Sequence, residues 1–390
     1  MNQELTNLKI AIITDGIYPF VIGGMQKHSF YLAKFLVKRG VDVTLVHCVT
    51  KGELPTHQGV LEAMELGISA NFKSIALRFP QMGSIPGHYI RENYAYSMEV
   101  FKSLEAELQS FDLIYAKGFA AWALLDKKRK GLKAPPVAVK FHGYEMFQKA
   151  PSFRVRLEHY LLRGPVKFNN VNADYIFSYG GKITSLVEGL GISKDRIKEI
   201  PTGIEANWCR DMIAPIESEK RRFLFIGRYE RRKGIEELNE VLNAVDPSLP
   251  FHFDFVGPIP PSKQLKDERI TYHGKVMERE KLQAIMENCE VLVTPSHSEG
   301  MPNVIMEGMA RGLAVIATDV GAVAAQVDNK CGWLLEPANV PQLKATFEEA
   351  VNSSNDELIQ KRKNALTKVK EHFTWEHVSM LTQKAFKEIG

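Results

Sequence analysis

The chain has 390 residues, 45% hydrophobic and 25% charged, with a formal net charge of +4. That length exceeds one ordinary core and suits two domains of common size. The composition is globular and excludes a disordered or fibrous chain, and no apolar run approaches the roughly eighteen residues that span a bilayer.

Met1 to Leu8 is polar and leads straight into a strand, so no secretory leader is expected and a cytoplasmic location is. Lys9–Thr14 reads as a short β-rich run, followed by a glycine-bearing loop and a helix from Met25 to Lys38 with Phe30, Leu32, Ala33, Leu36 and Val37 as its apolar stripe. Strands follow at Val41–Cys48, Ser74–Phe79, Asp112–Ala116, Pro136–Phe141, Tyr175–Ser178 and Ile197–Pro201, with the clearest helices at Arg91–Leu108 and Phe153–Asn169. The polar segment Glu205–Arg221 is the best candidate linker. The series then restarts, with strands at Arg222–Ile226, Phe251–Val256, Ile270–His273, Val291–Thr294, Leu313–Ala317 and Gly332–Leu335. Helices at Gly234–Ala244, Arg279–Asn288, Pro302–Arg311 and Val340–Asn352 separate them. Continuous apolar strands alternating with helices mean parallel sheets covered on both faces. The expected architecture is α/β, with two doubly wound, Rossmann-like domains at 1–203 and 204–374 and ligands bound at the carboxyl ends of the strands. The last residues read as two helices parted near Phe373-Thr374, the second with an apolar stripe of Val378, Leu381, Ala385, Phe386 and Ile389.

The four cysteines (Cys48, Cys209, Cys289 and Cys331) lack metal-ligand or redox spacing, and three of them sit in apolar surroundings as small core residues. The charge is uneven. Residues 1–203 hold 26 Lys and Arg against 18 Asp and Glu, whereas residues 204–390 hold 24 against 28. Lys117 to Lys167 alone carries 12 basic and 3 acidic residues, which bears on partners rather than on fold. Within it Ala150-Pro151-Ser152-Phe153 introduces a helix mixing Phe153, Val155, Leu157, Tyr160 and Leu161 with Arg154, Arg156 and Arg163. Two readings stay open here: a solvated basic face, or a peripheral contact with anionic membrane or a polyprenyl-diphosphate-linked glycan. Nothing points to nucleic acid.

The most informative stretch is Thr294–Val320, TPSHSEGMPNVIMEGMARGLAVIATDV. A buried strand ends at Thr294, a short loop follows, and Pro302 falls where a first helical position is expected. Glu299 then lies in the loop and Glu307 on the second helical turn. The amides of Gly300, Met301 and Asn303 would face outward at the positive end of the helix, a natural site for an anion or hydroxyl. Taken alone, a pair of glutamates is a cap and a solvated side chain. The Gly/Pro loop and the strand before it favour two carboxylates that accept from two separate sets of hydroxyls. A second constellation is Phe225-Ile226-Gly227-Arg228-Tyr229-Glu230-Arg231-Arg232-Lys233-Gly234. An arginine fork and a lysine point charge at a strand end suit a diphosphate, while Arg231 and Arg232 read as a solvated basic turn. Two weaker features lie in the first half. Gly23-Gly24 opens a helix without the G-x-G-x-x-G dinucleotide fingerprint, and His142, in Phe141-His142-Gly143-Tyr144-Glu145, follows a buried strand. His142 is weighed evenly between a structural role and a ligand contact.

The arrangement of Glu299, seven residues, Glu307, then Gly312 and a strand leading to Ala-Thr-Asp-Val-Gly resembles the glutamate-pair motif of the family 4 (group 1) retaining glycosyltransferases. The likeness extends over essentially the whole chain. It implies the GT-B fold and transfer of a sugar from a nucleotide diphosphate donor held between the two domains. By the same resemblance Glu299 meets the donor sugar, Glu307 the ribose, and Arg228 and Lys233 the diphosphate. Gly23-Gly24 is similar to the family's double-glycine loop, His142 would lie beside the reacting carbon, and Val276 near the nucleotide base. Residues 375–390 would cross back onto the first, acceptor-binding domain. A UDP-sugar is favoured over a GDP-sugar on family frequency. No metal and no other cofactor are expected, and the acceptor would be a glycan, lipid-linked or small-molecule hydroxyl in cell-envelope polysaccharide or glycolipid synthesis. The rivals are a GT-B sugar-nucleotide epimerase and a catalytically silent nucleotide-sugar binding protein. The first would lack a glutamate pair of this spacing, and the second would be expected to lose Glu299, Arg228 or Lys233.

Overall fold

The structure, a computed structural model, describes residues 8–68, 71–83, 87–148, 153–216 and 218–390. The chain divides into two compact units, Met1–Gly203 with Trp375–Gly390, and Ile204–Thr374.

The first unit runs β1 (Lys9–Ile13), α1 (Gly24–Lys38), β2 (Asp42–Val49), α2 (His57–Ala63), β3 (Phe72–Arg78), α3 (His88–Leu104), β4 (Leu113–Lys117), α4 (Trp122–Arg129), β5 (Val137–Lys140), α5 (Phe153–Asn172), β6 (Tyr175–Ser178), α6 (Lys182–Gly189) and β7 (Ile197–Glu199). Its seven strands lie in the order β3-β2-β1-β4-β5-β6-β7, and every neighbouring pair is parallel. β1 is flanked on both edges, with Ile10 beside Val43 and Leu113, and Ile10 to Ile13 are all fully buried. A strand covered on both faces has no solvent side to populate with polar residues, which is why Lys-Ile-Ala-Ile-Ile does not alternate.

The second unit runs β8 (Arg221–Ile226), α7 (Ile235–Ala244), β9 (Phe251–Val256), β10 (Ile270–Tyr272), α8 (Arg279–Glu287), β11 (Val291–Thr294), α9 (Asn303–Ala310), β12 (Ala314–Thr318), α10 (Val323–Gln326), β13 (Gly332–Leu335), α11 (Val340–Asn352) and α12 (Asn355–His372). Its six parallel strands lie in the order β10-β9-β8-β11-β12-β13. One face of β8 and β9 is aromatic. Phe223, Phe225, Phe251, Phe253 and Phe255 pack with Phe347 of α11, the Phe223 and Phe347 rings lying 4.4 Å apart. Two parallel sheets of this kind, each flanked by helices, are the α/β architecture expected from the sequence.

The last helix, α13 (Trp375–Ile389), belongs to the first unit. Trp375, Val378, Ala385 and Phe386 join the core made by α1, β1 and β2, and Tyr31 stacks on Trp375 at 5.8 Å. The segment Glu205–Arg221 is not a free linker. Its polar composition hides anchors on the second unit: Arg210 N–H donates to the Ala310 carbonyl, Arg311 reaches the Trp208 carbonyl at 3.0 Å, and Arg279 stands over the Trp208 ring. The sequence reading sets helices between the strands without bounding the short α2, α4, α6 and α10, because one or two turns carry too little periodicity. Among the described residues no helix is long and apolar enough to cross a membrane.

His47 on β2 is fully buried, among the described residues neither ring nitrogen meets a hydrogen-bond partner, and burial pushes its imidazole down to about 4. An unfolded histidine titrates at about 6.5, so between these values the unfolded chain binds the extra proton and stability falls as pH drops. At about 1.4 kcal/mol per unit the loss is on the order of 3 kcal/mol. His47→Leu is expected to remove most of that loss in urea titrations at pH 7 and pH 4.5. An equal loss in both proteins would exclude His47 as its source.

Candidate active site

In the second unit the strand order reverses between β8 and β11, which are neighbours although β9 and β10 intervene in the chain. Such a switch point leaves a crevice at the carboxyl ends of the two strands. The chain after β8 (227–234) and the chain after β11 (295–302) lie there, and they are stitched together. His297 N–H donates to the Arg232 carbonyl at 2.7 Å. Gly234 takes a left-handed φ of +67°, and a Cβ on it would stand 1.8 Å from the Pro295 carbonyl oxygen, so only glycine permits this approach. Behind the second loop, Gly321 (φ +58°) presses on Glu299 in the same way, with a Cβ only 2.2 Å from its carbonyl oxygen. Ala322 N–H donates to the Gly300 carbonyl at 2.7 Å, and Thr318 Oγ1 donates to the Ser296 carbonyl.

This frame sets the charged side chains. Lys233 Nζ donates to Glu299 Oε1 at 2.6 Å, Ser296 Oγ donates to the same oxygen at 2.8 Å, and Arg232 Nη1 stands 3.7 Å from Glu299 Oε2. The side chains of Glu299 and Lys233 are 10% and 18% exposed, whereas Arg228 is 67% exposed and pairs with Glu230 at 2.9 Å. Among the described residues Arg228, Arg232 and Lys233 pair with Glu230 and Glu299, an excess of positive charge at the strand ends. The helix α9 begins one residue later than expected. Pro302 is its N-cap with extended backbone rather than its first helical residue. Met301 is buried, while Gly300 and Asn303 are half-buried. Glu307 lies half-buried on the second turn. Beside it Gly308 seats the helix on β11, where a Cβ would come within 2.8 Å of Leu292. Val276 stands apart from this cluster, in the loop after the edge strand β10. That loop is tied down by Gly257 N–H to the Gly274 carbonyl at 2.8 Å and by His273 Nε2 to Asp254 at 2.7 Å.

The first unit has its own switch point, between β1 and β4. Gly23 is the N-cap of α1 and Gly24 its first residue. Nearby, Gln26 Nε2 donates to Asp15 at 3.2 Å, and burial pushes the Asp15 carboxyl up to about 6. His142 follows β5, with Nδ1 2.6 Å from the Tyr179 hydroxyl and its ring edge-on to His28 at 4.9 Å. His28 Nδ1 in turn lies 3.0 Å from Lys117 Nζ. Burial first, then the charge of Lys117 and Lys140, pushes both imidazoles well below the usual histidine range. Among the described residues neither Nε2 meets a partner, and both are shielded from solvent.

These lysines correct the reading of the basic stretch. Lys117 and Lys140 are core residues, capping β4 and β5, and burial pushes both ammonium groups well below their usual range. Lys140 Nζ donates to the Ile200 carbonyl at 2.7 Å and stands 3.9 Å over the Tyr179 ring. Lys128 pairs with Asp174 and Lys130 with Asp126, so the exposed charge is smaller than the count implies. Residues 149–152 and the side chains of Phe153 and Arg154 lie outside the described residues. Further along α5, Leu157, Tyr160 and Leu161 are exposed beside Arg156 and Lys167.

The sequence pattern of Glycosyltransferase Family 4 matches residues 22–208, and that of Glycosyl transferases group 1 matches residues 220–353. The chain belongs to the family 4, group 1 glycosyltransferases. An uncharacterized glycosyltransferase of Methanocaldococcus jannaschii is 30% identical over 174 residues, 43% of this chain and 48% of that one. A Bacillus subtilis glycosyltransferase named for teichuronic acid biosynthesis is 31% identical over 125 residues, 32% of this chain and 31% of its own. The chain thus spans about half or less of the length of these two relatives. Among solved structures, the Anabaena protein HepE in complex with UDP superposes with a TM-score of 0.65 at 15% identity, over 98% of this chain and 100% of that one. The fold of the chain is GT-B.

Its switch-point cluster contains residues the sequence did not single out. Arg232 is not in a solvated turn but faces Glu299, and Arg231 is tied to Glu237 and His297. Ser296 also reaches Glu299. Only a fold places the longer of these contacts, because His297 and Glu299 lie more than sixty residues beyond Arg231 and Arg232. Gly321→Ala is expected to destabilise the protein by roughly 1–3 kcal/mol through backbone strain behind Glu299. Thermal unfolding checks this, and a melting temperature equal to the parent's would show that the loop yields freely.

Proposed function

We propose that this glycosyltransferase moves a sugar, with retention of anomeric configuration and without a divalent metal, from a nucleotide diphosphate donor to a hydroxyl of a glycan or lipid-linked acceptor. A UDP-sugar is the favoured donor, and the UDP complex of the Anabaena neighbour supports that choice. The teichuronic acid relative supports a role in envelope polysaccharide or glycolipid synthesis. One observation carries the reading: Lys233 and Glu299 meet at 2.6 Å at the switch point, beside Arg228 and Arg232.

A diphosphate entering this cluster competes with Glu299 for Lys233. The lysine and the Arg228 fork then stabilise negative charge on the departing nucleotide, the work a metal ion would otherwise do. Glu299, still held by Ser296, is released to accept from sugar hydroxyls, and Glu307 from the ribose. The Gly300, Met301 and Asn303 amides serve as further donors and Val276 borders the base, while Gly23, Gly24 and His142 are the residues the first unit offers at its own strand ends. The bond from the anomeric carbon to the phosphate oxygen breaks, its electron pair leaving with the diphosphate. The acceptor oxygen bonds to that carbon on the same face, and its proton passes to the departing phosphate oxygen.

Calorimetry with UDP and turnover with a panel of UDP- and GDP-sugars test this. Glu307→Ala is expected to weaken UDP binding by about 1.5–3 kcal/mol, through loss of a charged acceptor. Glu299→Gln is expected to harm turnover far more than UDP binding, and both should be unaffected by EDTA. Loss of turnover in chelator with rescue by magnesium or manganese would overturn the metal-independent reading. The exposed apolar and basic side chains of α5 support peripheral contact with an anionic membrane, each basic group near the surface contributing about 1 kcal/mol. Binding to anionic but not neutral vesicles, weakened by salt and by Arg156→Glu with Lys167→Glu, is expected in co-sedimentation. Indifference to both vesicle types would leave a soluble acceptor as the reading.

A further inference from the structure

Arg231 and Glu237 form a two-pronged ion pair: Nη2 lies 2.6 Å from Oε1 and Nη1 2.7 Å from Oε2. The arginine follows β8, and the glutamate sits in the first turn of α7. His297, in the loop after β11, closes the group, with its Nε2 2.6 Å from Arg231 Nη1 and 2.9 Å from Glu237 Oε1. The two contacts of His297 are made across the seam between the two loops. The pairing holds Glu237 below the usual carboxylate range against the opposing effect of its burial, and raises Arg231.

The spacing gives this group its role. Lys233 lies two residues beyond Arg231, and Glu299 two residues beyond His297. The two loops therefore form a ladder: Arg231 with His297, the Arg232 carbonyl with the His297 amide, and Lys233 with Glu299. Fixing the first rung restricts where the last can stand. We propose that Arg231, Glu237 and His297 are a positioning clamp that holds Lys233 and Glu299 in register for sugar transfer, a proposal that rests on the donor-site reading above. The three residues act through the loops and do not touch the donor.

The His297 nitrogen faces a donor and an acceptor at once. A single ring nitrogen serves one of them, accepting from Arg231 when bare or donating to Glu237 when it carries hydrogen. A glutamine amide offers an oxygen to Arg231 and an NH2 to Glu237, so His297→Gln keeps the clamp, whereas His297→Leu and Glu237→Gln break it.

Two measurements test the clamp. The first needs no donor: a thermal-unfolding cycle of Glu237→Gln, Lys233→Met and the double variant. Rungs of one ladder couple, so the double variant is expected to lose clearly less than the two single losses added. Additive losses overturn the clamp whether or not UDP binds. The second measurement uses UDP-glucose, or the donor that the panel selects, with the full chain. Glu237→Gln and His297→Leu are expected to lower kcat at least about tenfold while the Kd for UDP moves less than about threefold, and His297→Gln should keep at least about half of kcat. A kcat unchanged in Glu237→Gln, or lost equally in His297→Gln and His297→Leu, overturns the proposal. Failure of the parent protein to bind any nucleoside diphosphate, with coupling intact in the unfolding cycle, would instead overturn the donor reading and leave the clamp standing.

Discussion

The close approach of two loops at one end of a parallel sheet constrains the whole second unit. β8 and β11 lie side by side, so whatever follows them must either separate into solvent or pack together. Here they pack. Gly234 admits the Pro295 carbonyl, the His297 amide finds the Arg232 carbonyl, and Gly321 with Ala322 backs Glu299-Gly300 from the far side. Side-chain positions then follow from backbone positions. Lys233 and Glu299 meet because both project from a seam whose geometry is fixed by main-chain contacts, with little left to rotamer choice.

A charge held this way is preorganised. Lys233 and Glu299 have already lost much of their water, so on the proposed reading an arriving diphosphate would exchange one anionic partner of the lysine for another instead of stripping a fully hydrated ammonium. Arg228 differs. It is mostly exposed and, among the described residues, paired with the nearby Glu230. The cluster thus combines a largely buried cation with an exposed one.

The first unit solves a different problem with the same fold. Lys117 and Lys140 end adjacent strands inside the protein, where a paired carboxylate would be expected. Instead they meet aromatic faces, a main-chain carbonyl and the Nδ1 of His28. The consequence reaches His142. Its ring is held neutral, edge-on to His28 and bonded to Tyr179, with Nε2 turned away from solvent. What His142 offers at the strand ends is governed by this buried group as much as by its own chemistry.

Much of the fold was legible in the sequence because both sheets are covered on two faces and their strands are near-continuous apolar runs. The places of Glu299 in the loop and Glu307 on the second helical turn were legible because Gly300 and Pro302 punctuate the strand-to-helix junction between them. Arg232 and Lys117 were not. An arginine in a charged turn and a lysine at a strand end both read as surface residues, and only tertiary placement brings Glu299 to the first and His28 to the second. The segment 205–221 misled in the same direction: its polar side chains suggested a linker, while its anchors are an amide, a carbonyl and the Trp208 ring, whose partners lie about seventy to a hundred residues away.

A crystal structure of the full chain soaked with UDP tests the switch-point site most directly. The diphosphate is expected between Arg228 and Lys233, with Lys233 Nζ moved from Glu299 onto a phosphate oxygen and the loop backbones unmoved. UDP bound elsewhere, or bound with the Lys233–Glu299 contact still at 2.6 Å and no cation on the phosphates, would contradict it.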